Sequence, residues 1–73
     1  MTDPDLLKIY KDIFDEDIAH QGPEWQADVL HELRTMAACD TFDAAFAVVR
    51  WWSEEWTKSG IANVRRLWKR VRA

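Results

Sequence analysis

Apolar side chains along this chain recur every three to four positions in four consecutive segments, a spacing typical of amphipathic α-helices. The segments span residues 4–20, 23–38, 41–58 and 61–72. No segment keeps the apolar–polar alternation of period two that indicates a half-buried strand. The pattern therefore predicts an all-α fold, a small four-helix bundle, in a single domain that covers residues 1–73.

Residues that typically begin or end helices separate the four segments. Asp3 fits an N-cap before a proline, and the pair Gly22 and Pro23 fits the end of one helix and the start of the next. The pair Asp40 and Thr41 offers a third cap. The apolar stripe shifts by one residue, about 100° of helical rotation, at Gly60. We expect a break or a sharp kink at Gly60. The alternative to four separate helices is three helices, the last of which is kinked near Gly60.

Composition excludes several classes of protein. Of the 73 residues, 48% are hydrophobic, which is too many for a disordered tail. The single cysteine excludes a disulfide framework within the chain, and no apolar run is long enough for a transmembrane helix. The acidic N-terminal sequence lacks the basic and apolar regions of a signal peptide. We expect a cytoplasmic protein with no membrane span.

Charge is unevenly distributed, although the net charge is only −3. Residues 1–43 hold eleven acidic and three basic residues, whereas residues 44–73 hold seven basic and two acidic ones. The basic end either packs beside the acidic first helix, stays solvated, or binds nucleic acid, an acidic protein surface or a membrane surface. The residues that would form this binding strip on the last helix are Arg65, Arg66, Lys69 and Arg70.

Five tryptophans are the most unusual feature of the sequence. Trp52 and Trp56 fall on the core stripe of the third helix, but the interior of so small a domain cannot hold every aromatic ring. Trp51 lies about 100° from that stripe. The third helix is therefore either the central helix of the bundle, or it contacts another chain through a second face made of Trp51, Ala44, Ala47 and Val48.

Candidate catalytic and metal-binding residues are few. His20 and His31 each follow an aspartate by three residues, but two such pairs supply too few ligands, so no metal or cofactor is expected. Cys39 at a helix end fits a small buried side chain. The remaining cluster is acidic and fits a solvated helix surface; it consists of Asp12, Asp15, Glu16 and Asp17. We expect no enzymatic activity.

The acidic, helical, tryptophan-rich character and the lack of catalytic residues resemble the small proteins that bacteriophages use to disable host machinery, including anti-CRISPR inhibitors. The likeness is one of general type and carries over no residue. It implies a non-catalytic protein–protein interaction module that inhibits a host protein or complex, with a homodimer as a further option. The alternatives are a nucleic-acid-binding accessory protein that uses the basic last helix, and a structural subunit of a larger assembly.

Overall fold

The computed structural model describes residues 1–15 and 22–73. Over these residues it contains four α-helices and no strand, which confirms the predicted all-α fold. The helices are α1 (Asp3–Phe14), α2 (Pro23–Ala37), α3 (Phe42–Val49) and α4 (Lys58–Val71). A short 3-10 helix, Arg50–Trp52, follows α3 directly. None of the described helices is both long and apolar enough to cross a membrane.

Helix α1 begins and ends earlier than predicted. Its N-cap is Thr2, not Asp3: the Thr2 hydroxyl accepts from the Asp5 backbone N–H at 3.3 Å, and the Asp5 carboxylate accepts from the Thr2 N–H. The helix ends at Phe14 because Asp15 has a φ of 52°, a left-handed conformation that cannot continue an α-helix. The rest of the predicted first segment, residues 16–20 with the apolar Ile18, lies outside the described residues.

The start of α2 differs from the prediction in the role of Gly22. This residue was expected to end the first helix in a left-handed conformation. It has instead an extended conformation, with a φ of −61°, and is the N-cap of α2. Pro23 then occupies the first helical position, where its missing N–H costs nothing.

The predicted break at Gly60 is wrong, because Gly60 lies inside the first turn of α4. The predicted third helix stops at Val49, and the chain passes through the 3-10 helix and a non-helical linker at 53–57. Thr57 then caps α4 by accepting from the Gly60 N–H at 3.0 Å. The one-residue shift of the apolar stripe is thus produced by residues 50–57, and α3 and α4 are separate helices.

Helices α2 and α4 form the centre of the bundle, since each contacts the other three helices. Helix α3 packs on α2 and α4 and scarcely touches α1, so it is not the central helix that one reading of the sequence required. All four helices contribute to one buried cluster, made of Leu6, Ile9, Tyr10, Ile13, Val29, Leu33, Met36, Ala45, Val49, Val64, Leu67, Trp68 and Val71.

Candidate functional site

Two of the five tryptophans remain at the surface, in agreement with the expectation from the size of the domain. Trp51 is 65% exposed and Trp25 is 37% exposed. Neither indole makes a hydrogen bond or a ring contact with any residue that the structure describes. The other three are engaged in the fold, with Trp68 buried and Trp52 and Trp56 half-buried against the core.

The exposed tryptophans border a concave region that we call the aromatic cavity. It has a volume of about 210 Å³ and lies where α1, α2 and the 3-10 helix meet. Five described residues line it, and none of them carries a charge: Tyr10, Trp25, Val29, Trp51 and Trp52. Three tryptophans and one tyrosine are thus four of these five residues.

A buried carboxylate anchors one side of this cavity. The Trp52 indole N–H donates a hydrogen bond to Oε2 of Glu32, which is only 8% exposed on α2. The same indole meets the Tyr10 ring edge-on, with centroids 5.6 Å apart and planes at 78°. These contacts fix the orientation of Trp52, whereas the Trp51 indole has no hydrogen bond or ring contact with a described residue.

The electrostatics of Glu32 follow from its position. Burial raises the pKa of Glu32 above its ordinary value of 4.5, and Asp28 raises the pKa further. The hydrogen bond from Trp52 and the nearby His31 act in the opposite direction. The raised pKa means that the folded protein binds this proton more tightly than the unfolded chain does.

Stability should therefore depend on the ionisation of Glu32. Between 4.5 and the raised pKa of the folded state, the folded protein holds more protons, so this group contributes less stability as the pH rises. We expect the free energy of unfolding of the native chain, minus that of Glu32→Gln, to fall as the pH rises through that window. Glutamine is the matched change because it still accepts from Trp52 but does not titrate. Urea unfolding followed by circular dichroism at a series of pH values measures the difference, and a constant or rising difference would contradict the assignment.

The α-helix that the sequence predicted through Trp51 stops before this residue. The α-helix ends at Val49, so the 100° phase that aligned Trp51 with that face does not apply. Ala44 and Ala47 are exposed on α3, while Val48 is half-buried and packs against the core. Trp51 instead lines the aromatic cavity beside Trp25.

The basic residues of the predicted strip are all exposed along α4: Arg65, Arg66, Lys69 and Arg70. Some of these side chains make contacts within the chain. The Arg65 guanidinium lies 4.1 Å from the centroid of the Phe42 ring, and Arg70 approaches Asp12 of α1 at 3.9 Å. Asp12 of α1 is therefore an acidic neighbour of the strip, as one interpretation of the charge distribution proposed.

Other candidate residues form no site among the described residues. No group of three metal-ligating side chains occurs there. His31 is exposed, and the Cys39 thiol donates to the Thr35 carbonyl at 3.3 Å. Three residues of the acidic and histidine candidates lie outside the described part of the chain: Glu16, Asp17 and His20.

A second concave region, of about 290 Å³, shares Tyr10 and Trp52 with the first. Its aromatic walls already contact one another: Phe14 stacks on Tyr10 at 5.0 Å and meets Trp52 edge-on at 6.2 Å. These rings of the second region therefore pack against one another within the fold, whereas the indoles of Trp25 and Trp51 make no ring contact with a described residue.

Sequence reasoning did not identify Trp25, Tyr10 or Glu32 as parts of a site. Helical spacing assigned Tyr10 and Trp25 to the core. The burial of Glu32 could not be predicted in this way, because the spacing of apolar residues gives no information about a charged side chain. The only usable signal was the surplus of aromatic rings over available interior. Comparisons of the chain with protein-family models, with curated proteins and with solved structures give no match.

Proposed function

We propose that this chain is a small non-catalytic protein–protein interaction module and that Trp51 and Trp25 form the centre of its contact surface. The observation that carries the proposal is the 65% exposure of Trp51. Tryptophan is among the residues most enriched at binding hot spots, and monomers seldom keep large exposed apolar groups without a use. Trp25, beside it on the aromatic cavity, enlarges the apolar surface that a partner would cover.

The proposed mode of action is stoichiometric inhibition of a host protein or complex in the cytoplasm. It is supported by the general resemblance to small phage inhibitors. Self-association through the same indoles would give a homodimer. Ala44 and Ala47, exposed on α3, and the half-buried Val48 remain proposed contributors to the contact.

Affinity purification from an extract of host cells tests the proposal, provided that the recovery of the partner is measured for each variant. We expect one protein partner to co-purify with the native chain, to be lost with Trp51→Ala, and to be kept with Lys58→Ala, a control at an exposed position of α4. Removing an interface tryptophan often costs about 2 kcal/mol or more, which is about a thirtyfold loss of affinity. Sedimentation velocity on the same variants identifies a homodimer. Equal recovery of the partner with Trp51→Ala would refute the proposed surface.

Nucleic-acid binding by α4 is the second candidate function, favoured by the exposed basic side chains of that helix. Two observations weigh against it: Arg72 lies over the Trp68 ring at 4.4 Å, and Arg70 is close to Asp12. Guanidinium groups held in this way are less available to phosphates. Phosphate binding would weaken steeply with salt, whereas an apolar contact through Trp51 would not.

Removing the charge of the basic strip should leave the fold intact. Exposed ion pairs contribute about 0–1 kcal/mol, and an exposed cation over a ring about 0.5–1 kcal/mol. We expect the quadruple change of the strip to Gln to keep the Tm within a few degrees, as measured by thermal melts. Unfolding of the variant would mean that the strip is structural. The changes are Arg65→Gln, Arg66→Gln, Lys69→Gln and Arg70→Gln.

A further inference from the structure

The chemistry of the aromatic cavity is unusual for a simple apolar contact. Among the described residues that line it, four are aromatic, Tyr10, Trp25, Trp51 and Trp52, and the fifth is Val29. The faces of such rings carry partial negative charge and attract cations within about 6 Å, most strongly when the ring is an indole.

Charges around the cavity strengthen this character. The Glu32 carboxylate accepts from the Trp52 indole N–H, and a donor polarised in this way carries more electron density on its ring. Asp28, next to Val29 on α2, is near enough to interact electrostatically with Glu32. Lys11 and Arg50, each adjacent in sequence to a lining residue, do not line the cavity. The negative charge beside Trp52 is thus that of Glu32 and Asp28, with His31 acting on Glu32 in the opposite direction.

The size of the cavity limits the cation. An engineered cavity of about 150 Å³ holds one benzene molecule. The volume here is about 210 Å³, and a trimethylammonium group has fewer heavy atoms than benzene. A compact alkylated ammonium fits, and its methyl groups lose little hydration on entering, unlike the strongly hydrated ammonium of lysine.

We propose that the aromatic cavity binds a quaternary ammonium group. The exposed indoles of Trp25 and Trp51 close over its methyl groups, and Trp52, held by Glu32, forms the electron-rich base. This site goes beyond the proposed function, since a protein could cover the two exposed indoles without placing a cation between them. The group could belong to a free molecule such as choline or to a trimethylated lysine of a partner protein.

Titration with choline chloride, at ionic strength matched with sodium chloride, tests the site in the 73-residue chain. The readout is the set of indole N–H resonances in proton–nitrogen correlation spectra, assigned with single Trp→Phe variants. We expect saturable shifts of the Trp25, Trp51 and Trp52 resonances in the millimolar range, with the distant Trp68 resonance unmoved. The matched neutral ligand is 3,3-dimethylbutan-1-ol, the uncharged isostere of choline, which should bind about tenfold more weakly.

Variants separate a cation site from an apolar one. Trp51→Leu keeps an apolar side chain but removes the aromatic face, and we expect a loss of choline affinity of about tenfold. Glu32→Gln keeps the acceptor for Trp52 but removes the charge. It should lower the affinity for choline a few-fold and leave the affinity for the neutral isostere unchanged. The backbone resonances of each variant report whether the fold is intact.

Equal affinity for choline and its neutral isostere, or shifts that do not saturate, would overturn the proposal. A parallel titration with a trimethyllysine peptide and its unmethylated form identifies the source of the group: tighter binding of the methylated peptide than of choline assigns it to a protein, and the reverse assigns it to a free molecule. Failure here leaves the proposed protein contact unaffected, because that contact is judged by recovery of a partner with Trp51→Ala.

Discussion

Replacing Trp52 with alanine should unfold most of the protein at room temperature. The indole meets the rings of Tyr10 and Phe14 edge-on and donates to buried Glu32. Truncating a packed tryptophan costs about 3–5 kcal/mol, and the unpaired carboxylate adds about 1–3 kcal/mol. A helical domain of this size has a total stability of about 5 kcal/mol or slightly more. The change therefore removes nearly all of the stability.

The neighbouring residue provides the control for this prediction. Trp51 is 65% exposed and has no hydrogen bond or ring contact with any described residue, so Trp51→Ala should change the stability by no more than about 0.5 kcal/mol. Urea unfolding followed by circular dichroism compares the two variants without relying on tryptophan fluorescence. If Trp51→Ala melts as early as Trp52→Ala, then Trp51 is a core residue and the proposed contact surface does not exist.

A milder substitution isolates the hydrogen bond to Glu32. Trp52→Phe keeps an aromatic ring but leaves the carboxylate without its donor, and we expect a loss of about 1–3 kcal/mol. Combining it with Glu32→Leu removes the buried charge as well, so the double variant should recover part of that loss. Additive losses in the double variant would show that the bond between Trp52 and Glu32 contributes nothing to stability.

Trp68→Ala should produce the second large loss, of about 3–5 kcal/mol. Trp68 is 8% exposed on α4, its ring centroid lies 6.0 Å from that of Phe42, and its indole N–H donates to the Cys39 carbonyl at 3.3 Å. It thereby joins α4 to both α3 and the connection between α2 and α3. Because α4 contacts all three other helices, loosening it weakens the whole bundle rather than one end.

Two controls separate the parts of the Trp68 effect. Trp68→Phe keeps a ring near Phe42 but loses the bond to Cys39, and should cost less than Trp68→Ala. Arg72→Gln removes the guanidinium that lies 4.4 Å from the Trp68 ring centroid and should cost about 0.5–1 kcal/mol. Thermal and urea unfolding measure all three variants. A loss from Arg72→Gln as large as that from Trp68→Ala would contradict this division.

The sequence by itself predicted the fold class and most of the helical residues, because both depend on local spacing. An apolar side chain every three or four residues defines a buried face wherever the helix packs. Of the predicted capping pair Asp40 and Thr41, Thr41 caps α3, because its hydroxyl accepts from the Ala44 N–H only three residues away, at 3.2 Å. The sequence also predicted that some indoles stay at the surface, because the number of aromatic rings and the volume of the interior both follow from composition and chain length.

Only the tertiary structure decided where the helices stop and which side chains meet. The stripe through Trp52 and Trp56 is compatible with a continuous helix, but the chain leaves the helix after Val49, and the Trp56 indole N–H then donates to the Arg50 carbonyl at 2.8 Å. The burial of Glu32 and its bond to Trp52 join residues twenty positions apart. Periodicity assigns a side chain to a face but does not say which element packs against that face, and for this reason the aromatic cavity has no counterpart in the sequence pattern.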